Sequence, residues 1–193
     1  MKKNKFFIFI FVFILFQVNF LFAAGKIIEI DGKVQILRGG STIWEDAKIN
    51  TELKDDDKIK TFLASGVIIK LADGSNITIG ENSYLSMSAI SDKKNINVKI
   101  MFGGVKADVI KKKIGERTKF NISTPTAVAG VRGTEFEVSE MPNGSNFLVI
   151  EGEIEVEAKG KKIELKEKEK VFVSSDGDLK EKEKIKDGES LLK

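Results

Sequence analysis

The chain has no histidine and no cysteine among its 193 residues. The most common general base, the soft metal ligands and the thiol nucleophile are therefore absent, and a Ser/His/Asp triad is impossible. A pair of carboxylates of the glycosidase kind would meet only in space, so the sequence leaves that one alternative open. Because no acid lies in a setting that indicates a cleft, we predict a non-enzymatic protein with no catalytic residue and no cofactor.

A run of three acids, Asp55 to Asp57, is the one candidate site for a hard cation. Calcium sites need oxygen ligands at alternating loop positions, usually with a glycine in the turn, and a bare triplet lacks that spacing. We therefore interpret the triplet as a turn before the strand at Ile59, and we predict no metal site.

Arg132 stands between two glycines in a chain that contains three arginines, the others being Arg38 and Arg117. A planar guanidinium can satisfy a carboxylate and nearby carbonyls together, which lysine cannot do. Our hypothesis is that Arg132 is structural and is paired with Glu135 or Glu151. The alternative is an arginine that faces a ligand.

Two further features could mark a binding surface. Trp44 and Tyr84 are the only residues of their types, and exposed aromatic rings often contact sugars or partner proteins, although a lone tryptophan in a β domain more often lies in the core or at its rim. Lysines 111–113 form a basic run with Arg117 and Lys119. Because runs of charge are usually solvated, we interpret this run as a loop between strands.

The segment 124–138 is the stretch around which we predict the strands to be arranged. Pro125 is one of two prolines, and it forces Thr124 into an extended conformation. Glycines permit backbone angles that a side chain forbids, so we predict a structural corner here. Beyond it, alternation of apolar and acidic residues is typical of a half-buried strand. The predicted corner residues are Pro125, Gly130, Arg132, Gly133, Thr134 and Phe136.

Short runs rich in Ile and Val, separated by Gly, Asn, Asp and Ser, continue from Lys26 to Ser174. They predict a single all-β domain of short, mostly antiparallel strands, arranged as a sandwich, a roll or a solenoid. The dipeptides Asp73-Gly74 and Asn143-Gly144 predict tight hairpins. A meander is predicted over 153–173, and a frayed helix or a disordered end is predicted for the charged residues after 175.

Several of these motifs resemble those of the FecR-type domain of bacterial envelopes. They are the Thr-Pro pair followed by Val131-Arg132-Gly133-Thr134-Glu135-Phe136, and the stretches Gly32-Lys33-Val34, Trp44, Asp57–Thr61, Leu71–Ser75, Gly104-Val105 and Val149–Ile154. The resemblance covers most of the chain beyond the N-terminal region. It implies an all-β fold, and it implies regulation, since such domains are known best as periplasmic sensors of inner-membrane regulators. Those regulators contact the signalling domain of an outer-membrane transporter and control a sigma factor.

The N-terminus is typical of a signal peptide, which would form a helix. Three lysines precede an apolar stretch from Phe6 to Phe16, and small residues follow at 23–25. We predict cleavage after Ala23, an all-β domain over 24–175 and a charged tail over 176–193. An uncleaved leader would instead anchor the chain to a membrane. Without the three leader lysines the chain carries 29 basic and 29 acidic residues, so we predict no nucleic-acid partner.

We therefore expect an exported, periplasmic or secreted protein that binds another envelope protein, for instance through a sheet edge. Because five residues precede the apolar stretch, we expect it to act without an anti-sigma segment of its own. A carbohydrate- or peptidoglycan-binding module is one alternative. Self-association through sheet edges, as a structural envelope protein, is the other.

Overall fold

Strands make up the regular structure of the chain. The computed structural model describes residues 25–90, 95–111, 119–186 and 188–192, and none of these residues is helical. Within these ranges no helix is long and apolar enough to span a membrane. The all-β class is thereby confirmed for the described residues, whereas the predicted signal peptide lies outside them.

Seventeen strands are described, numbered β1 to β17 in chain order. The first nine are β1 (Gly25–Asp31), β2 (Val34–Leu37), β3 (Trp44–Asp46), β4 (Glu52–Leu53), β5 (Lys58–Thr61), β6 (Gly66–Leu71), β7 (Asn76–Ile79), β8 (Tyr84–Ala89) and β9 (Asn95–Asp108). The remainder are β10 (Lys119–Ser123), β11 (Val128–Val131), β12 (Glu135–Met141), β13 (Gly144–Glu151), β14 (Glu153–Ala158), β15 (Lys161–Lys166), β16 (Glu169–Ser174) and β17 (Glu183–Lys184).

The strands form two sheets that share β9. Sheet 1 has the order β4-β1-β6-β7-β9-β12-β13-β16-β17. Sheet 2 has the order β3-β2-β5-β8-β9-β10-β11-β14-β15. Only the β9–β10 pairing among these is parallel, which confirms the prediction of a mostly antiparallel fold.

The long strand β9 passes from one sheet to the other at a pair of glycines. Its first part pairs with β8 and β10 in sheet 2, and its last part, from Gly103, pairs with β7 and β12 in sheet 1. Gly103 has a φ of 93°, and a Cβ there would lie 2.5 Å from Cα of Ser83. A side chain would prevent this close approach, so glycine is required where the strand changes sheets.

The inward-facing residues of both sheets belong to one hydrophobic cluster. Strand burial alternates, as in β7 and β10, where every second residue is inaccessible to solvent. The cluster contains three phenylalanines, Phe120, Phe136 and Phe147, which are among the largest fully buried side chains. Because the two sheets enclose one core, the described residues form a single domain with a sandwich-like arrangement.

Both predicted hairpins are present, one with a shifted turn. Asp73 and Gly74 connect β6 to β7, and the Asp73 carboxylate accepts a hydrogen bond from the Ser75 N–H at 2.9 Å. In the second hairpin Met141 pairs with Gly144, so Gly144 already belongs to β13. The tight turn is therefore formed by residues 142 and 143 rather than by Asn143-Gly144.

The end of the chain departs from the prediction in two ways. Strands β14 and β15 lie in sheet 2 while β16 pairs with β13 in sheet 1, so residues 153–173 do not form a simple meander. The described part of the charged tail is not helical, because it extends sheet 1 through β17 and a bridge between Val173 and Leu179. Backbone pairing with β16 outweighs the weak helical charge pattern.

Candidate interaction surface

The predicted corner consists of two separate turns. Residues 124–127 form the first turn, which closes the β10–β11 hairpin within sheet 2. Thr124 is buried, its N–H donates to the Ala127 carbonyl at 2.8 Å, and its Oγ1 accepts from the Ala127 N–H at 3.1 Å. Pro125 is exposed at the tip of the turn. The Thr124 hydroxyl and the fixed φ of Pro125 therefore stabilise this turn.

A cluster of hydroxyls connects this turn to the β12–β13 hairpin of sheet 1. Ser145 Oγ lies 2.7 Å from Oγ1 of Thr124 and 2.6 Å from Oγ1 of Thr126, and it hydrogen-bonds to the Glu140 carboxylate. Ser145 and Glu140 are both buried. Burial raises the pKa of the Glu140 carboxyl, and the hydrogen bond from Ser145 offsets part of that rise.

The raised pKa of Glu140 predicts a pH-dependent effect of Glu140→Gln. A carboxyl whose pKa is higher in the folded state favours folding when protonated, and its contribution decreases as pH rises through that range. The variant lacks this ionisation. Its melting temperature relative to the wild type is therefore expected to increase between about pH 4 and pH 7. Thermal melts of both proteins across that range test this, and a constant difference would contradict it.

The second turn, at residues 132–134, carries the chain from sheet 2 to sheet 1. Thr134 is buried, and its Oγ1 donates to the Glu153 carbonyl at 2.8 Å. Arg132 is exposed and forms no hydrogen bond or ion pair within the described residues, while Glu135 pairs with Lys106 at 2.6 Å. The structure therefore does not bring Arg132 together with Glu135 or Glu151, and Thr134 fastens this turn.

The remaining predicted corner residues have different environments. Phe136 is fully buried in the core. Gly133 has a φ of 59°, and a Cβ there would lie 2.7 Å from Cα of Lys111. Gly130 lies within β11, outside the positive-φ region, and a Cβ there would meet nothing closer than 3.8 Å. Of these two glycines, only Gly133 therefore has a backbone conformation and a close contact that a side chain would not permit.

The structural arginine of the described region is Arg38. Its Nη1 lies 2.7 Å from Oδ2 of Asp57, a carboxylate that is 2% exposed. The same carboxylate accepts hydrogen bonds from the N–H groups of Gly39 at 3.1 Å and Lys54 at 3.0 Å. Asp57 thus has a structural role in the turn, and no three acidic side chains within the described ranges are placed to hold a metal ion.

The outer face of sheet 2 carries the two unique aromatic residues. Trp44 on β3 and Tyr84 on β8 are half-buried, with ring centroids 6.0 Å apart and planes inclined by 62°. Further along the same face, Arg132 lines an open groove of about 570 Å³ together with Asn121, Glu155 and Lys162. Most of the predicted basic run, at residues 112–118, lies outside the described residues.

Strand β15 forms one edge of sheet 2. Its six residues pair with β14, and within the described ranges no strand pairs with its other side. The Lys166 N–H donates to the Glu169 carboxylate at 2.9 Å, and the Glu164 carbonyl accepts from Lys182 Nζ at 3.4 Å. Backbone N–H and C=O groups point to alternate sides along a strand. The N–H and C=O groups of residues 162, 164 and 166 therefore point away from β14.

The two turns at residues 124–127 and 132–134 lie in a segment that a protein-family model recognises, whereas β15 lies beyond it. The model described as "FecR protein" matches residues 57–155, just over half of the chain. The chain belongs to the FecR family. The family match begins at the buried Asp57 and includes both turns of the corner. A search of curated proteins found no match.

The FecR-family chain also shares its fold with solved structures. Two crystal structures of a "putative anti-sigma factor" from Parabacteroides distasonis, at 1.65 and 2.50 Å resolution, each match with a TM-score of 0.58 at 18% identity. Each alignment covers 66% of this chain and 59% of the other chain. At this identity the likeness shows the fold, and the chain matches less than two thirds of that protein's length.

Proposed function

We propose that this FecR-family chain is an exported, non-catalytic module of the bacterial envelope that binds a protein partner through the edge of β15. The observation that carries the proposal is that no described strand pairs with this side of β15, where residues 162 and 164 direct backbone groups outward and the Lys182 side chain contacts the Glu164 carbonyl at 3.4 Å. An extended segment of a partner can add to such an edge, because main-chain hydrogen bonds supply affinity without requiring a preformed pocket.

The side chains of β15 favour a foreign partner over self-association. Lys161, Lys162 and Lys166 are exposed on this strand together with Glu164. Charged residues on an edge, and lysine especially, are a common means of preventing uncontrolled pairing of sheets. A partner strand with complementary charges would satisfy them, whereas a second copy of this lysine-rich edge would not.

Family membership supports a regulatory role for this binding. The structurally similar protein from Parabacteroides distasonis is named a "putative anti-sigma factor", and the leader-like N-terminus supports export. Signalling would then require that partner binding at the sheet edge be transmitted to a separate regulator. We propose that the chain acts in the periplasm or outside the cell, in contact with an envelope protein.

Glu164→Pro tests the edge directly. Residue 164 directs its N–H away from β14, so proline there removes a donor from the open side while leaving the β14–β15 ladder intact. A photo-crosslinking residue at position 162 should capture a defined envelope protein from the source bacterium. We expect the Glu164→Pro variant to lose that crosslink while its melting temperature stays within a few degrees of the wild type.

Glu164→Gln is the matched control, since it removes the same charge but keeps the N–H. It should retain the crosslink if backbone pairing is responsible. Equal capture by the proline variant would contradict strand addition, and the absence of any specific crosslink to the wild type would contradict a protein partner at this edge. Light scattering that shows dimers whose formation requires the β15 edge would instead support self-association.

A further inference from the structure

A second surface lies near the β3 edge of sheet 2, which is the edge opposite to β15. It combines aromatic rings with lysine side chains on the outer face of strands β2, β3, β5, β8 and β9. We call it the basic-aromatic patch, and its members are Lys33, Gln35, Trp44, Lys60, Phe62, Tyr84 and Phe102.

The strand register places these side chains next to one another. Lys60 pairs with Gln35 on one side and with Tyr84 on the other, and Tyr84 pairs with Phe102. Directly opposite residues in an antiparallel pair project from the same face of a sheet. Phe102 is 45% exposed, and the Trp44 ring packs edge-on against Tyr84. The patch is therefore a continuous row in which two polar side chains, Gln35 and Lys60, are followed by the two aromatic rings of Tyr84 and Phe102.

Two ammonium groups converge on one ring of this patch. Lys33 Nζ lies 4.9 Å and Lys60 Nζ 5.1 Å from the centroid of Phe62. Both lysines are exposed, and neither forms an ion pair within the part of the chain that the structure describes. The ring offsets part of the repulsion between the two cations through its negative face. An anion that binds both ammonium groups would offset it more completely.

Two acids beside the patch, Asp46 and Glu81, are already hydrogen-bonded. The Asp46 carboxylate accepts from Gln35 Nε2 at 3.0 Å, and the Glu81 carboxylate accepts from the Ala64 N–H at 2.7 Å. Neither acid is paired with Lys33 or Lys60. The patch therefore presents uncompensated positive charge beside exposed aromatic faces, although the chain without its leader has equal numbers of acidic and basic residues.

We propose that the basic-aromatic patch binds a short segment of an acidic polysaccharide. Sugar rings have an apolar face of C–H groups surrounded by hydroxyls, and they match aromatic rings that are half-buried within a polar border. The carboxylate or phosphate groups of such a glycan would contact Lys33 and Lys60 through charge-assisted hydrogen bonds. Gln35 adds a neutral amide next to Lys60, with its Nε2 donating to Asp46.

A single-stranded nucleic acid would use similar chemistry but fits the surface less well. Such ligands need a positively charged groove that follows many phosphates. Beyond β9 the same face has mixed charge, because Glu153, Glu155, Glu157 and Glu164 on β14 and β15 lie beside Lys162 and Lys166. A long polyanion would meet these carboxylates, whereas a short glycan segment would remain within the patch. The inference is independent of the protein-binding edge, because the two surfaces occupy opposite ends of sheet 2.

The unique tryptophan makes a direct binding measurement possible. Fluorescence excited at the indole band reports on Trp44 alone, which lies in the patch. We expect oligomers of polygalacturonate, a carboxylate-bearing glycan, to change this fluorescence saturably, whereas neutral dextran oligomers of equal length should not. Binding should weaken as salt is raised, because the lysines are exposed. An absent response, or an equal response to dextran, would overturn the proposal.

Charge-removing variants assign the response to the patch. The double substitution Lys33→Gln and Lys60→Gln should raise Kd for the oligomers by about tenfold or more. Lys162→Gln on β15 is the matched control, and it should leave Kd unchanged. Tyr84→Ala should weaken binding while preserving its salt dependence. Unchanged binding by the double variant, or tighter and length-dependent binding of oligothymidylate than of the glycan, would contradict an acidic-polysaccharide site.

Discussion

Replacing Asp57 by alanine is expected to lower the free energy of unfolding by about 3 kcal/mol. The carboxylate is 2% exposed, and it receives Arg38 Nη1 at 2.7 Å and the N–H groups of Gly39 and Lys54. Alanine leaves two backbone donors without an acceptor and one guanidinium without its counter-ion. For a domain of this size the loss corresponds to a decrease of about 6–12 °C in melting temperature.

The adjacent acid provides the control for this prediction. Asp56 is exposed with a φ of 66°, a conformation that asparagine tolerates. Asp56→Asn should therefore change stability by less than about 0.5 kcal/mol, while the same substitution at Asp57 should be clearly destabilising because it removes the charge that Arg38 contacts. Denaturant titrations of the variants measure the difference. Equal effects at 56 and 57 would show that the buried pair does not stabilise the turn.

The sequence predicted those features whose physical cause is local. The Asp73-Gly74 hairpin follows from a glycine with a φ of 96° and a side-chain hydrogen bond that spans two residues. The apolar alternation of β6 and β7 likewise predicts which residues are buried. Such signals lie within a few positions of one another, so they can be recognised before the tertiary structure is known.

The arginine that binds a buried carboxylate could not be identified from its neighbours in the sequence. The glycines beside Arg132 led to the prediction of a structural role for it, but Arg38, which is 19 residues from Asp57, makes the contact with a buried carboxylate. Nothing near Arg38 in the sequence indicates this partner. The same limit applies to Thr134, whose acceptor is the carbonyl of Glu153, and to Ser145, which contacts Thr124 only because a hairpin of sheet 1 approaches a turn of sheet 2.

Strand β12 illustrates a limit of the alternation rule. The alternation of apolar and acidic residues in this strand predicts that Glu137 faces solvent, yet Glu137 is buried. Its carboxylate accepts hydrogen bonds from Ser190 Oγ at 2.9 Å and from the Leu191 N–H at 2.5 Å, so a segment more than fifty residues away covers the outer face. Alternation predicts which side chains point to the core, but it does not predict what later parts of the chain lie on the opposite face.

A pair of glycine substitutions tests the second turn of the corner. Gly133→Ala is expected to destabilise the protein by about 2–4 kcal/mol, because φ is 59° and the new Cβ would lie 2.7 Å from Cα of Lys111. Gly130→Ala should be neutral or stabilising by up to about 1 kcal/mol, since alanine is less flexible in the unfolded chain and the nearest atom would be 3.8 Å away. Denaturant unfolding of both variants should therefore give shifts of opposite sign or very different size. If Gly130→Ala is the more damaging substitution, the sheet-switching turn at residues 132–134 does not depend on the backbone geometry of Gly133.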